Sequence, residues 1–373
     1  MSPKNVLITG GAGFIGAHVC NELLEHGYKV RILDALVPQV HGPFRSKPDY
    51  LSPDVELMVG DIRDSQLLSK ALRGIDGVIN LVALVGVGQS MYQIEEYTSV
   101  NNCGTATLMQ VLSTQPVESI VVASSMSIYG EGLYEDVNGV RRTVAGRSLE
   151  QLKAGRWEMT DSDGGPLSPV PTPEDKVPSL ASLYALSKFD QEQMTLMVAR
   201  AYGMRAVALR FFNTYGPYQA LSNPYTGVLS NFAARVLNGH APLIYEDGLQ
   251  KRDFVSVYDV ACACRLALES MKADGQAFNI SSGEAMTVGE VALKVIRALG
   301  VKTLEPEITG KYRVGDIRHC FADISRAKEI LGWSPSVGLK QGVEDLAAWL
   351  EGQKTPDRAV QARDELAVRG LMI

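Results

Sequence analysis

Lys4-Asn5-Val6-Leu7-Ile8-Thr9-Gly10-Gly11-Ala12-Gly13-Phe14-Ile15-Gly16 is the stretch that decides the fold of this chain. A short β-branched apolar run breaks on glycines. It continues as a helix carrying Ile15, Val19, Leu23 and Leu24 at helical spacing. Gly10, Gly13 and Gly16 are spaced for a tight turn, a close backbone approach and tight packing of helix on strand. The free N–H groups and positive end of the new helix suit a pyrophosphate above the turn. Such a motif is weak alone, and its context strengthens it. A second strand, Lys29 to Leu33, ends in Asp34, whose carboxylate can accept both ribose hydroxyls of an adenosine and would repel a 2′-phosphate. The plainer reading is a glycine turn with Asp34 as a solvated strand end.

Outward from this unit the alternation continues. Val55 to Val59 reads as a third strand, closed by Gly60-Asp61-Ile62-Arg63-Asp64, which places Asp61 beside an adenine amino group. Val78 to Leu81 reads as a fourth, nearly all apolar as a strand buried on both faces should be. It opens into the small, glycine-rich loop Val82 to Ser90. Asn101 and Gly104-Thr105 are expected to head a long helix through Leu112. Ile120 to Ala123 gives a fifth strand ending in Ser124-Ser125-Met126-Ser127. Ser182 opens a helix to about Tyr202, and Ala206 to Phe212 is a further strand leading into Asn213. This rhythm predicts an α/β fold, a doubly wound parallel sheet with helices on both faces. The segment Gly130 to Ser179 is irregular, rich in glycine and proline, and too polar for a core. It reads as a lid or a surface excursion with an extended Pro-rich end.

With 373 residues the chain can bury a sizeable core, and its net charge of −6 is mild and dispersed. That argues against a nucleic-acid partner. The five cysteines form no C-x-x-C pair and the five histidines show no ligand spacing, so no metal is expected. No apolar run approaches a membrane span. The N-terminus runs straight into a strand, and a cytoplasmic location with reduced thiols follows as the expectation.

Tyr184 and Lys188 lie four apart on one predicted helix and project from the same face. A lysine ammonium beside a phenol favours the phenolate, as does the charged ring of an oxidised nicotinamide. The pair is expected to lower a tyrosine pKa towards working pH and make a general base, with Ser125 at a strand's carboxyl end nearby. A surface Tyr–Lys pair is the bland alternative. Arginines in Lys251-Arg252-Asp253 and in the basic loop Arg313 to His319 could clamp a diphosphate by bidentate contacts, or simply form surface salt bridges.

Together these motifs resemble the extended short-chain dehydrogenase/reductase family, and within it the nucleotide-sugar 4-epimerases. The set is Thr9 to Gly16, Asp34, Asp61-Ile62, Asn101, Ser125, Tyr184-x-x-x-Lys188 and Arg210-Phe211-Phe212-Asn213, and the similarity runs from Lys4 to about Leu350. The resemblance implies NAD, contacted by Gly10, Gly13, Phe14, Ile15, Gly16, Asp34, Asp61, Ile62, Leu81, Ala83, Asn101, Tyr184 and Lys188. It implies a catalytic set of Ser125, Tyr184 and Lys188, with Tyr184 as base. It also implies a nucleotide-diphosphate sugar held by Val87, Ser125, Ser127, Asn213, Arg252, Arg313 and Asp316, and a homodimer through the helices near Asn101 and Ser182. The implied organisation is an NAD-binding Rossmann domain over 1–215 with the excursion 131–179, then a smaller mixed lobe over 216–354. Some segments of that lobe return to the first domain, and a tail follows over 355–373.

The 4,6-dehydratases of the family carry an Asp-Glu pair just after the serine. Here Met126 and Ser127 stand there, and neither can act as acid or base at neutral pH. Ala35 also departs from the asparagine common after the ribose-binding acid. The loop Ala83 to Tyr92, the segment Ser124 to Gly132 and the excursion from Ala154 to Glu174 resemble the dTDP-L-rhamnose 4-epimerases, with UDP-glucose and UDP-glucuronate 4-epimerases as alternatives. A net reductase or dehydrogenase on the same scaffold, and a non-catalytic NAD-binding regulator, are the readings from other classes.

Overall fold

In the computed structural model the described residues are 4–42, 45–142, 144, 146–219, 227–313, 316–351 and 368–369. Seven parallel strands organise them: β1 (Asn5–Thr9), β2 (Lys29–Asp34), β3 (Glu56–Val59), β4 (Gly77–Asn80), β5 (Ser119–Ser125), β6 (Arg205–Phe211) and β7 (Gln276–Ile280). They stand in the order β3-β2-β1-β4-β5-β6-β7. The chain therefore begins mid-sheet and reverses its direction of growth between β1 and β4, where Thr9 lies level with Leu33 on one side and Asn80 on the other. A crevice opens at the carboxyl ends of strands at such a reversal.

Neighbouring residues of β1 show the two covered faces. Val6 and Ile8 pack with helices α1 (Phe14–Glu25) and α4 (Val257–Glu269). Leu7 packs on the opposite side, with α2 (Gly104–Leu112) and the end of α3 (Leu183–Ala201). Burial on both faces explains why β4 and β5 read as unbroken buried runs rather than alternating ones. A second core gathers Tyr215, Phe232, Phe254, Val295 and Leu346 in the later part of the chain. From that part β7 and α4 come back to the main sheet.

Two sequence expectations need correction. Asn101 does not head its helix. Helical turns begin at Ile94, widen into a π-type turn over Thr98–Cys103, and only then enter α2, with Asn101 fully buried in the wide turn. The excursion, expected to lack a core, has a small one. Leu133–Glu135 pairs antiparallel with Arg141–Arg142 and with Ser168–Val170, and Tyr134, Met159 and Leu167 bury together with Val144 against them. Three apolar residues so far apart in sequence make no periodic pattern, so local reading does not see them.

All five cysteines are free; Cys20, Cys264 and Cys320 are buried and Cys103 is exposed. Among the described residues no helix is long and apolar enough to cross a membrane, and no three His, Cys, Asp or Glu side chains gather as metal ligands. Of the loop at 313–319, Val314 and Gly315 lie outside the described residues, as does the tail 355–373 apart from 368–369.

Candidate active site

The glycine turn is built as its spacing requires. Gly10 has φ +72°, and a Cβ there would stand 3.0 Å from the Val82 nitrogen, so both conformation and space exclude a side chain. At Gly16 a Cβ would lie 2.5 Å from the Gly11 Cα, which is why α1 can rest directly on the turn. Above Gly13 the space is open, since a Cβ would meet only the Gly10 oxygen, at 3.4 Å. The first N–H groups of α1, including those of Phe14 and Ile15, have no partner within the helix. An open, N–H-lined cradle of this kind fits a pyrophosphate.

Asp34 is buried at the end of β2 and oriented by backbone. Ala12 N donates to one carboxylate oxygen at 3.0 Å and Leu36 N to the other at 2.8 Å. Each oxygen keeps a second acceptor direction, so the group fits a ribose diol. Asp61 is gripped by Arg63, whose Nε and Nη2 donate at 2.9 and 2.6 Å. Those bonds hold its carboxyl below the usual range, leaving an ionised acceptor at the sheet edge. Ile62 is buried, and a Cβ on Gly104 would strike its Cγ2. Leu81 N donates to Thr9 O at 3.0 Å, which ties the start of the following loop to β1. Asn101 fixes that loop. Its Oδ1 accepts from Leu84 N at 2.7 Å, its Nδ2 donates to Leu84 O at 3.2 Å and to Ser187 Oγ at 3.0 Å, and so it works just beyond Ala83.

Of the three expected catalytic side chains, Ser125 and Tyr184 come together, and Lys188 follows one helical turn after Tyr184. Ser125 ends β5, and Tyr184 lies in the first turn of α3, capped by Ser182 and tied through its own N–H to Ser90 Oγ at 3.1 Å. Ser125 stands close enough to the Tyr184 phenol to favour its charged form. Ser127 donates to Ser125 Oγ through its N–H and its hydroxyl, at 3.1 and 2.9 Å. The chain's own groups do not by themselves lower the phenol's pKa. Burial pushes the Tyr184 phenol up to about 12, against the smaller opposing effect of Ser125. Burial likewise pushes the Lys188 ammonium down to about 7, opposed by Glu192. Desolvation disfavours the charged form of both, so phenolate formation needs positive charge brought into the site.

A polar chain missed by the sequence reading locks Lys188. Its Nζ donates to Gln191 Oε1 at 2.8 Å, and Gln191 Nε2 donates to Thr105 Oγ1 at 2.7 Å and to Val82 O at 3.1 Å. Thr105 spends its own proton on Asn101 O, so every bond in the chain has a fixed direction. Buried Gln and Thr at core-facing helix positions were the signal that could have revealed it.

On the other side of the site, Asn213 Nδ2 donates to Asp253 O at 2.7 Å and touches Met126 Sδ at 3.6 Å, joining this side to the residue after Ser125. Arg252 lies 3.8 Å from Asp316, and exposed Arg313 stacks 4.6 Å over the Tyr245 ring. Val87 is exposed on a short helix, Val87–Ser90. The reading of Arg313 to His319 as one basic phosphate loop is corrected. Arg318 has no exposed surface and is consumed by Glu158, Glu246 and Asp247, and His319 is buried against Glu158. Only Arg313 of that stretch remains an outward cation.

Residues 6–145 match the NAD dependent epimerase/dehydratase family, and residues 163–346 match GDP-mannose 4,6 dehydratase. A dTDP-L-rhamnose 4-epimerase from Burkholderia thailandensis is 32% identical over 93% of this chain and 95% of its own length. Among solved structures, the UDP-glucose 4-epimerase of Thermotoga maritima with UDP-glucose superposes with a TM-score of 0.76 at 28% identity, covering 93% of this chain and 98% of that one. The Thermus thermophilus UDP-glucose 4-epimerase complexed with NAD gives 0.73 at 28% identity, covering 94% and 100%. The chain belongs to the NAD-dependent epimerase/dehydratase family, on its nucleotide-sugar epimerase side. It is an enzyme of that family, with NAD as its cofactor.

Proposed function

We propose that this chain is a 4-epimerase of dTDP-L-rhamnose, using tightly held NAD and passing through a transient 4-keto sugar. The observation that carries the epimerase reading is the placement of Ser125 next to the Tyr184 phenol, one helical turn from Lys188, with no acid–base pair following the serine. Elimination of water across C5 and C6 would need such a pair. Instead buried Met126 lies against Asn213, and Ser127 points its hydroxyl at Ser125. Tyr184 takes the proton of the sugar 4-hydroxyl and later returns it to the 4-oxygen, with Ser125 orienting that oxygen. NAD, when bound, would supply the hydride acceptor and donor chemistry at C4 and the positive charge that the buried phenol lacks. The glycine turn, Asp34 and Asp61 would hold it, together with Leu81, Ala83 and Asn101. Asn213, Arg252, Arg313 and Asp316 serve the nucleoside diphosphate, and Val87 and Ser127 the sugar.

The sugar is argued from the loop pinned to Tyr184 by Ser90. From Leu81 to Gln93 it carries no charge, and it exposes Val85, Val87 and Met91. The loop's own residues offer a uronate carboxylate no cation, although Arg369 of the tail stacks 4.1 Å over its Tyr92 ring, whereas the methyl group of a 6-deoxy sugar finds apolar company. The B. thailandensis relative points the same way. Exposed Leu186 and Met197 on α3, with Ile94 nearby in sequence to the wide turn, support a homodimer through these helices.

Tyr184→Phe is expected to lower turnover by about 10²–10⁴-fold, the usual worth of a positioned proton-transfer group. Near wild-type turnover would remove Tyr184 from the mechanism. The substrate is checked by product separation after incubation with dTDP-L-rhamnose, UDP-glucose and UDP-glucuronate. NAD released from the denatured, unsupplemented protein marks an epimerase, because a net reductase consumes its cofactor stoichiometrically.

A further inference from the structure

The excursion, residues 131–179, has a purpose that its sequence does not advertise. It is sewn to the segment after Asp316 by backbone. Gly132 N donates to His319 O at 2.7 Å, Thr172 N to Phe321 O at 2.8 Å, and Asp323 N to Thr172 O at 3.0 Å. Glu131 receives the N–H groups of Arg318 and His319 at 2.6 and 3.2 Å. Side chains then reach deeper. Glu158 accepts from Arg318 Nη2 at 2.5 Å and from Nε at 3.1 Å. Arg147 pairs with buried Glu246 at 2.8 Å and donates to the Asp316 carbonyl at 3.0 Å.

His319 closes this network with a fixed tautomer. Lys251 N donates to its Nδ1 at 3.0 Å, so the proton sits on Nε2, which donates to Glu158 at 3.0 Å. From the opposite side Arg252 donates to the carbonyls of Ile317 and Arg318. Residues 316–319 are thus held between Arg252 and the excursion. Glu246, the carboxylate shared by Arg147 and Arg318, sits at φ +55°, a conformation retained only when its surroundings over-determine it.

We propose that the excursion is a positioning element for the substrate's nucleoside diphosphate, with Glu158 and Arg147 setting where residues 316–319, and through them Arg252, stand. This rests on the reading, given above, that Arg252, Arg313 and Asp316 serve that diphosphate. Glu158 is the member to test, because its side chain is 57% exposed while its partner Arg318 is wholly buried. Removing its charge therefore disturbs the loop with little loss of packing.

The test measures KM and kcat for dTDP-L-rhamnose and NAD content after gel filtration, on the full chain carrying Glu158→Gln and, separately, Arg252→Ala. Glu158→Gln is expected to raise KM about tenfold, the equivalent of one lost charged hydrogen bond, with kcat and NAD content within about twofold of wild type. Arg252→Ala is expected to raise KM at least as much. If Arg252→Ala raises KM and Glu158→Gln does not, the positioning role is overturned and the functional reading stands. If neither variant moves KM, the diphosphate reading falls and takes the proposal with it. Equal losses in kcat, KM and NAD content for Glu158→Gln also overturn the proposal, because they mark general unfolding.

Discussion

The two sides of this site are made from different materials. On the cofactor side, the turn from Gly10 to Gly16, Asp34 and the Leu84 loop are held by backbone contacts and by single neutral side chains such as Asn101. On the substrate side, Arg318, Arg147, Glu246, Asp247 and Glu158 form a mostly buried ionic network whose direct pairs lie up to 160 residues apart in sequence. Backbone contacts tolerate changes of side-chain charge, whereas a buried ionic network fails when one member is lost. Away from Asp34 and Asp61, the cofactor side is therefore robust to charge change and sensitive to volume. The substrate side is the reverse.

Three substitutions put this contrast at risk. Arg318→Met should cost about 3 kcal/mol in denaturant unfolding, because it takes the cation from Glu158 and Asp247 and leaves buried Glu246 with Arg147 alone. A loss under about 1 kcal/mol would mean that water already satisfies those carboxylates. Gly16→Ala should cost about 1–3 kcal/mol and lower the NAD content, since the new methyl meets backbone rather than a movable side chain. Unchanged NAD content would show that the turn can shift without losing its cradle.

The smallest effect is expected at Gln191. Gln191→Glu puts a carboxylate against Lys188 Nζ, which burial holds near about 7. A neighbouring negative charge favours the ammonium, so the limb of the pH–kcat profile belonging to Lys188 should move to higher pH. The charged neighbour that bears on Lys188 is Glu192, already paired with Arg210. A profile that stays in place would show that Lys188 does not control this limb.

The same contrast explains what could be read from the chain. The sheet, the glycine turn, Asp34 and the Tyr184–Lys188 pair all declare themselves within a few residues of sequence, by period, spacing or a strand end. What escaped reading depends on distant partners. Arg318 looks like a phosphate ligand until Glu158 and Glu246 are seen around it, and the excursion looks coreless until Tyr134 meets Met159 and Leu167. Asn101 was recognised as a site residue, but its wide helical turn was not, because a π-type turn leaves no distinct hydrophobic period.

Asp34 carries a last consequence. Its two oxygens are already aimed by Ala12 N and Leu36 N, so an arriving adenosine need not freeze that side chain. Arg313, exposed and resting on Tyr245, has rotamer freedom to surrender each time a ligand is gripped. Preorganisation at one end and recurring ordering at the other favour long residence for the dinucleotide and rapid exchange for the sugar nucleotide.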